Sequence, residues 1–158
     1  MTTPAQIAKG LRTFQKGSNW TDSSLNEHLK DLSWEDATRQ VYDLNCIALL
    51  VHHMNYYLNA VFHVLKGNPL QSKHEESLQY PPIQSQQDWE NLVQKNFQDA
   101  EDFATLIEQL TEEQLWKEFP DGRSGNYYYH IQGSIEHCYY HLGQIVVIKK
   151  ILRQIPAK

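Results

Sequence analysis

Residues 126–153, NYYYHIQGSIEHCYYHLGQIVVIKKILR, contain no proline and repeat apolar side chains at Ile131, Ile135, Leu142, Ile145, Ile148 and Leu152. At about 3.6 residues per turn this stripe predicts one long helix packed into a core. The same periodicity stacks His137 and His141 one turn apart on one face, close enough for both imidazoles to reach a single metal ion. His130 lies two turns earlier on that side. Imidazoles beside a buried stripe need partners.

The other segments read as further helices. Residues 4–16 carry Ile7, Leu11 and Phe14 at helical spacing and stop at Gly17. Residues 18–32 form a polar connector with a short helical turn, fastened to the core by Trp20, Leu25, Leu29 and Leu32. Ser33 followed by Asp36 resembles a capping box, and a second helix is expected over 33–66, with a break near Arg39 left open, up to the stop at Gly67-Asn68-Pro69. Its seam is Leu44, Ile47, Val51, Met54, Leu58, Val61 and Leu65. Three prolines within 68–85 predict an extended crossing. A third helix over 86–110 turns Trp89, Val93, Phe97, Ala100, Phe103 and Ile107 inward, and TEEQ then predicts a short capped turn before the loop FPDGRSGN. Four long helices without strand alternation or internal repeat predict an all-α, four-helix-bundle fold in a single domain over 1–158, with a long connection between helices two and three.

Composition removes several functions. A net charge of −5 with no clustered basic stretch argues against nucleic-acid binding. Cys46 and Cys138 are too few and too far apart for a disulfide framework, so reduced thiols are expected. The N-terminal residues lack the apolar core of a signal peptide, and no apolar run is long enough to span a bilayer. These features predict a cytoplasmic protein that binds neither membrane nor nucleic acid.

Helix two offers two further imidazoles, His52 and His53, on opposite flanks of its seam. His53 shares a stripe with Cys46, Leu50, Tyr57, Ala60 and Val64, which suits burial. His52 shares one with Ala48, Asn55, Tyr56, Asn59 and His63, which reads as wetter. His53 is therefore the expected third ligand and His52 the alternative, whereas His28, His63 and His74 read as surface residues. Three imidazoles without a fourth protein donor leave room for water or substrate, as catalytic rather than structural zinc sites do. Zinc or nickel suits the set best, with iron or copper also compatible. His-Glu-x-x-His, Cys-x-x-Cys, paired Glu-x-x-His, Gly-x-Ser-x-Gly and phosphate-binding glycine loops are all absent from the sequence. Gln144 is placed to hydrogen-bond a ligand, His130 and Tyr57 to line the pocket, and Gly143 to admit a neighbouring helix. Cys138 points away from His137 and reads as packing, and no residue is singled out as a general base.

HCYYHLGQI at 137–145 is similar to the His-x-x-x-His-x-Gly-Gln-Ile signature of the DinB/YfiT-like proteins. The resemblance extends to LLVHHMNYYLNAVFHVLKGNPL at 49–70, where the family's helix-two histidine precedes an apolar residue, as His53 precedes Met54. It implies a four-helix bundle with a three-histidine metal site at His53, His137 and His141, and a homodimer. For activity it implies a metal-dependent hydrolase or a thiol-dependent S-transferase acting on a small molecule. The alternative is a non-catalytic metal- or ligand-binding stress-response protein.

Overall fold

A computed structural model describes residues 1–120 and 125–155, and among them the regular structure is helical. Helix α1 (Thr3–Lys16) starts at an N-cap Thr2 with Pro4 in its first turn and ends at Gly17, whose φ of 106° is one that side-chain-bearing residues avoid. Two short helices follow, α2 (Leu25–Leu29), capped by Ser24, and α3 (Trp34–Thr38), capped by Ser33. Then come α4 (Ile47–Leu65), the one-turn α5 (His74–Ser77), α6 (Gln86–Glu108), the capping-box turn α7 (Glu112–Leu115) and α8 (Tyr127–Leu152). Helix α1 packs on α6, α6 on α4, and α4 on α8, so the four long helices share one apolar core. All six residues of the α8 stripe are buried in it. No helix among the described residues is long and apolar enough to cross a membrane.

The helix expected over 33–66 is two helices. The backbone leaves helical geometry at Arg39 (φ −70°, ψ 120°) and re-enters it after Cys46. Val41, only 2 % exposed, is drawn into the core while Tyr42 takes a φ of 50°, so core burial of one side chain fixes a turn where helix periodicity ran on. Leu44, expected in the seam, consequently faces out. Trp20 does not fasten the connector either, being 99 % exposed. Asn19 holds that turn instead, donating through Nδ2 to the carbonyls of Thr13 (2.9 Å) and Ser23 (2.7 Å).

On α6 the buried ridge includes Asn96 and Ala104, whereas Val93 and Phe97 are half-buried. Asn96 Nδ2 donates to the Val51 carbonyl across the α4–α6 contact (3.4 Å). Asp99 accepts from Asn55 (2.7 Å), Asn59 (2.9 Å) and Lys95 (2.7 Å). Burial alone would push its carboxyl up, but those donors outweigh it and hold the group below its usual range. The 68–85 crossing is interrupted by α5, which lies against α4. In the loop FPDGRSGN, residues 121–124 lie outside the described residues. Its two sides are joined by hydrogen bonds from Phe119 N to Gly125 O and from Tyr127 N to Lys117 O, both 3.1 Å.

Candidate metal centre

The antiparallel contact of α4 with α8 brings three imidazoles together. His53 comes from the middle of α4, and His137 and His141 from successive turns of α8. Ring centroids are 5.1 Å apart for His53 and His137, 4.8 Å for His53 and His141, and 4.4 Å for His137 and His141. One ligand atom from each can be chosen so that all lie within 4.8 Å of one another. His53 and His141 are each 8 % exposed, and His137 is half-buried. Among the described residues no fourth histidine, cysteine or carboxylate joins the cluster.

The hydrogen bonding suits a cation. His141 Nδ1 lies 2.7 Å from Gln144 Oε1, an atom that only accepts, so the proton belongs on Nδ1 and the lone pair on Nε2. That Nε2 lies 2.9 Å from His137 Nε2, two ring nitrogens converging with at most one proton between them. His53 Nδ1 and His137 Nδ1 are buried with no hydrogen-bond partner, a costly arrangement for polar atoms inside a protein. Three convergent imidazoles, two of them with an unpartnered ring nitrogen, fit a transition-metal ion as donors.

Their electrostatics point the same way. Burial, reinforced by His141 and His53, pushes His137 down to about 4, and burial with the nearby His141 also lowers His53. Burial lowers His141 too, against the opposing hydrogen bond to Gln144. All three are thus neutral at pH 7, the form that binds metal. The metal-free protein should lose stability in acid. Unfolded histidines take up protons near 6.5 while the folded cluster refuses them, so stability is complete above about pH 6.5 and is lost as pH falls towards about 4. The melting temperature of chelator-treated protein should drop between pH 7.5 and 5, and drop less in His137→Gln. Equal slopes for the two proteins would contradict this electrostatic account.

His52 stays outside the cluster. It is half-buried, turned towards Tyr56 (6.4 Å between centroids) and the backbone of Glu76 on α5. Its stripe is drier than the pattern suggested, since Ala48 and Asn55 are buried. Tyr57 lies edge-on to His53 (5.0 Å) and His137 (5.1 Å). His130 stacks on Phe119 at 3.9 Å, away from the three histidines. Gly143 admits no helix, because a Cβ built there meets nothing within 4 Å. Cys138 is fully buried, and desolvation pushes its thiol up to about 12, which leaves it inert.

One neighbour of the cluster has no signal in the sequence. His74, at the start of α5, is exposed yet stands edge-on to His53 at 6.3 Å. Tyr56 positions this segment, its hydroxyl donating to Glu76 (3.1 Å) and accepting from the Lys73 amide (2.8 Å). Nothing periodic in a proline-bounded crossing marks that contact.

The fold and site together define an all-α protein with a three-histidine candidate metal centre between two antiparallel helices. A family model described as the DinB superfamily matches residues 19–145, and the chain belongs to that superfamily. No curated protein and no solved structure matches it.

Gln144 offers a direct check on the arrangement. Gln144→Ala should weaken metal binding by about 10–100-fold, the usual effect of losing a residue that orients a ligand. Competition against a chromogenic chelator measures it, and an unchanged affinity would remove Gln144 from the site.

Proposed function

We propose that this protein binds one divalent transition metal, zinc or nickel in preference to iron, through His53, His137 and His141, and acts as a metal-dependent enzyme. The reaction class is hydrolysis or thiol-dependent S-transfer on a small molecule. The observation that carries this reading is the cluster itself, three neutral imidazoles with no fourth protein donor among the described residues. When bound, such a metal lowers the pKa of a coordinated water or thiol and makes it a nucleophile near neutral pH.

The chain's own residues do the rest. Gln144 fixes the tautomer of His141, so that Nε2 faces the site. Tyr57 packs edge-on against His53 and His137 and limits the rotation of both rings. A cleft of about 360 Å³ reaches His137 and gives a substrate access. A larger one of about 440 Å³ reaches the site from the side of Gln144 and of Tyr140, which lies edge-on to His141 at 4.9 Å. Burial lowers all three imidazoles, His137 to about 4, so protons compete less with the metal than they would at exposed histidines.

Cobalt(II) substitution tests the reading, because its visible absorption reports coordination. The expected spectrum shifts when 2-mercaptoethanol is added, as an exchangeable position requires. A spectrum indifferent to added thiol, azide and cyanide would mean a closed site and favour the non-catalytic metal-binding alternative.

A further inference from the structure

Resting on that metal-centre reading, we propose that the substrate carries an uncharged apolar or aromatic tail, which lies in the cleft beside His137, and that Gly133 sets how large this tail can be. The cleft runs along the α4–α8 contact from the histidines towards the start of α8. Tyr57, Val61, Leu70, Phe119 and Tyr129 form its walls. Among the described residues lining it there is no Asp, Glu, Lys or Arg. Tyrosines aside, its polar side chains are Ser72, Ser134, His130 and His137, and the hydroxyl of Ser134 is spent on its own helix, donating to the Ile131 carbonyl at 2.7 Å. A charged tail lying along this wall would lose water and meet no Asp, Glu, Lys or Arg beside it, whereas an apolar one gains burial.

Other clefts on the molecule differ. The one beside Gln144 includes Asp43 and Asn45, and another is lined by Glu27, Lys30, Asp31, Lys149, Lys150 and Arg153. The apolar cleft is the one that contains a histidine of the cluster. Its volume of about 360 Å³ lies within the range of small-molecule sites.

Gly133 supplies the second observation. It sits inside α8, one turn before His137, where a helix disfavours glycine. No close approach explains it, since a Cβ built there meets nothing within 4 Å, and its backbone does not need a positive φ. It does line the cleft. A Cβ at 133 meets no clash, so a larger side chain there has room to extend over the cleft that Gly133 lines.

The test loads the full chain with cobalt(II) and titrates 2-mercaptoethanol, benzyl mercaptan and 2-mercaptoethanesulfonate, reading the thiolate-to-cobalt absorption. Benzyl mercaptan should bind about tenfold or more tightly than the sulfonate, in line with what apolar pockets discriminate. Gly133→Leu should erase that preference while leaving cobalt stoichiometry and 2-mercaptoethanol affinity unchanged. Gly143→Leu, in the other cleft, should preserve the preference. Equal binding of the three thiols, or a Gly133→Leu protein that still prefers benzyl mercaptan, would overturn the proposal and leave the metal centre standing. Failure to bind cobalt would instead sink the metal reading. The cleft is then read in metal-free protein by saturation transfer from benzyl alcohol, expected in wild type and lost in Gly133→Leu. No transfer in wild type would overturn the tail as well.

Discussion

His53→Ala should abolish tight metal binding, and His52→Ala should leave it nearly intact. The two residues are neighbours of the same type, so the contrast isolates geometry from composition. His53 is 8 % exposed, with its ring 5.1 and 4.8 Å from those of His137 and His141. His52 is turned by about 100° around α4, towards Tyr56 and α5. Loss of a residue that merely orients a ligand costs about 10–100-fold in affinity, so loss of the ligand itself should exceed about 100-fold. Chelator competition gives the affinities, and circular dichroism shows whether each variant is folded. Equal binding by both variants, or loss with His52 alone, would contradict the assignment.

Trp89→Ala should cost about 3–5 kcal/mol of stability, the usual range for emptying a buried aromatic site. Trp89 is 1 % exposed at the start of α6, and its Nε1 donates to the Leu32 carbonyl at 3.1 Å. It thereby ties the connector after α2 to the main helices. In a chain of 158 residues the corresponding drop in melting temperature is on the order of 10 °C. Trp89→Phe should lose less, about 1–3 kcal/mol, because most of the volume stays while the Leu32 carbonyl keeps only a 3.5 Å contact from Gln86. Denaturant unfolding measures both. A loss below about 1 kcal/mol for the alanine variant would show that this corner of the core is not closed as described.

Helix α8 was readable almost to the residue, because a long stripe without proline leaves little else for the chain to do. The pairing of His137 with His141 follows directly from its period. The choice of His53 over His52 needed a finer property, the apolar character of one flank of α4, which is buried except at the half-buried Tyr57, while the His52 flank is buried at Ala48 and Asn55 as well. Periodicity failed where tertiary packing overrides local preference. A break near Arg39 was open to the pattern, and the helix does end there, but nothing in residues 39–46 announces that Val41 is buried and Leu44 turned outward. Trp20 shows the converse, an aromatic side chain that local side-chain bonding holds in solvent. Gly143 invited a packing explanation, since pattern alone cannot tell a glycine that admits a helix from one facing open space. His74 was illegible for a simpler reason. Its approach to His53 depends on how a proline-rich crossing folds back over α4, which no spacing rule encodes.

Elemental analysis of protein purified without a metal-affinity tag, wild type beside His53→Ala, His141→Ala and His52→Ala, decides whether three histidines from α4 and α8 form one metal centre. Wild type and His52→Ala should each carry about one transition-metal ion per chain, and the other two almost none. No metal in wild type, together with no uptake of added zinc or nickel, would contradict the three-histidine centre.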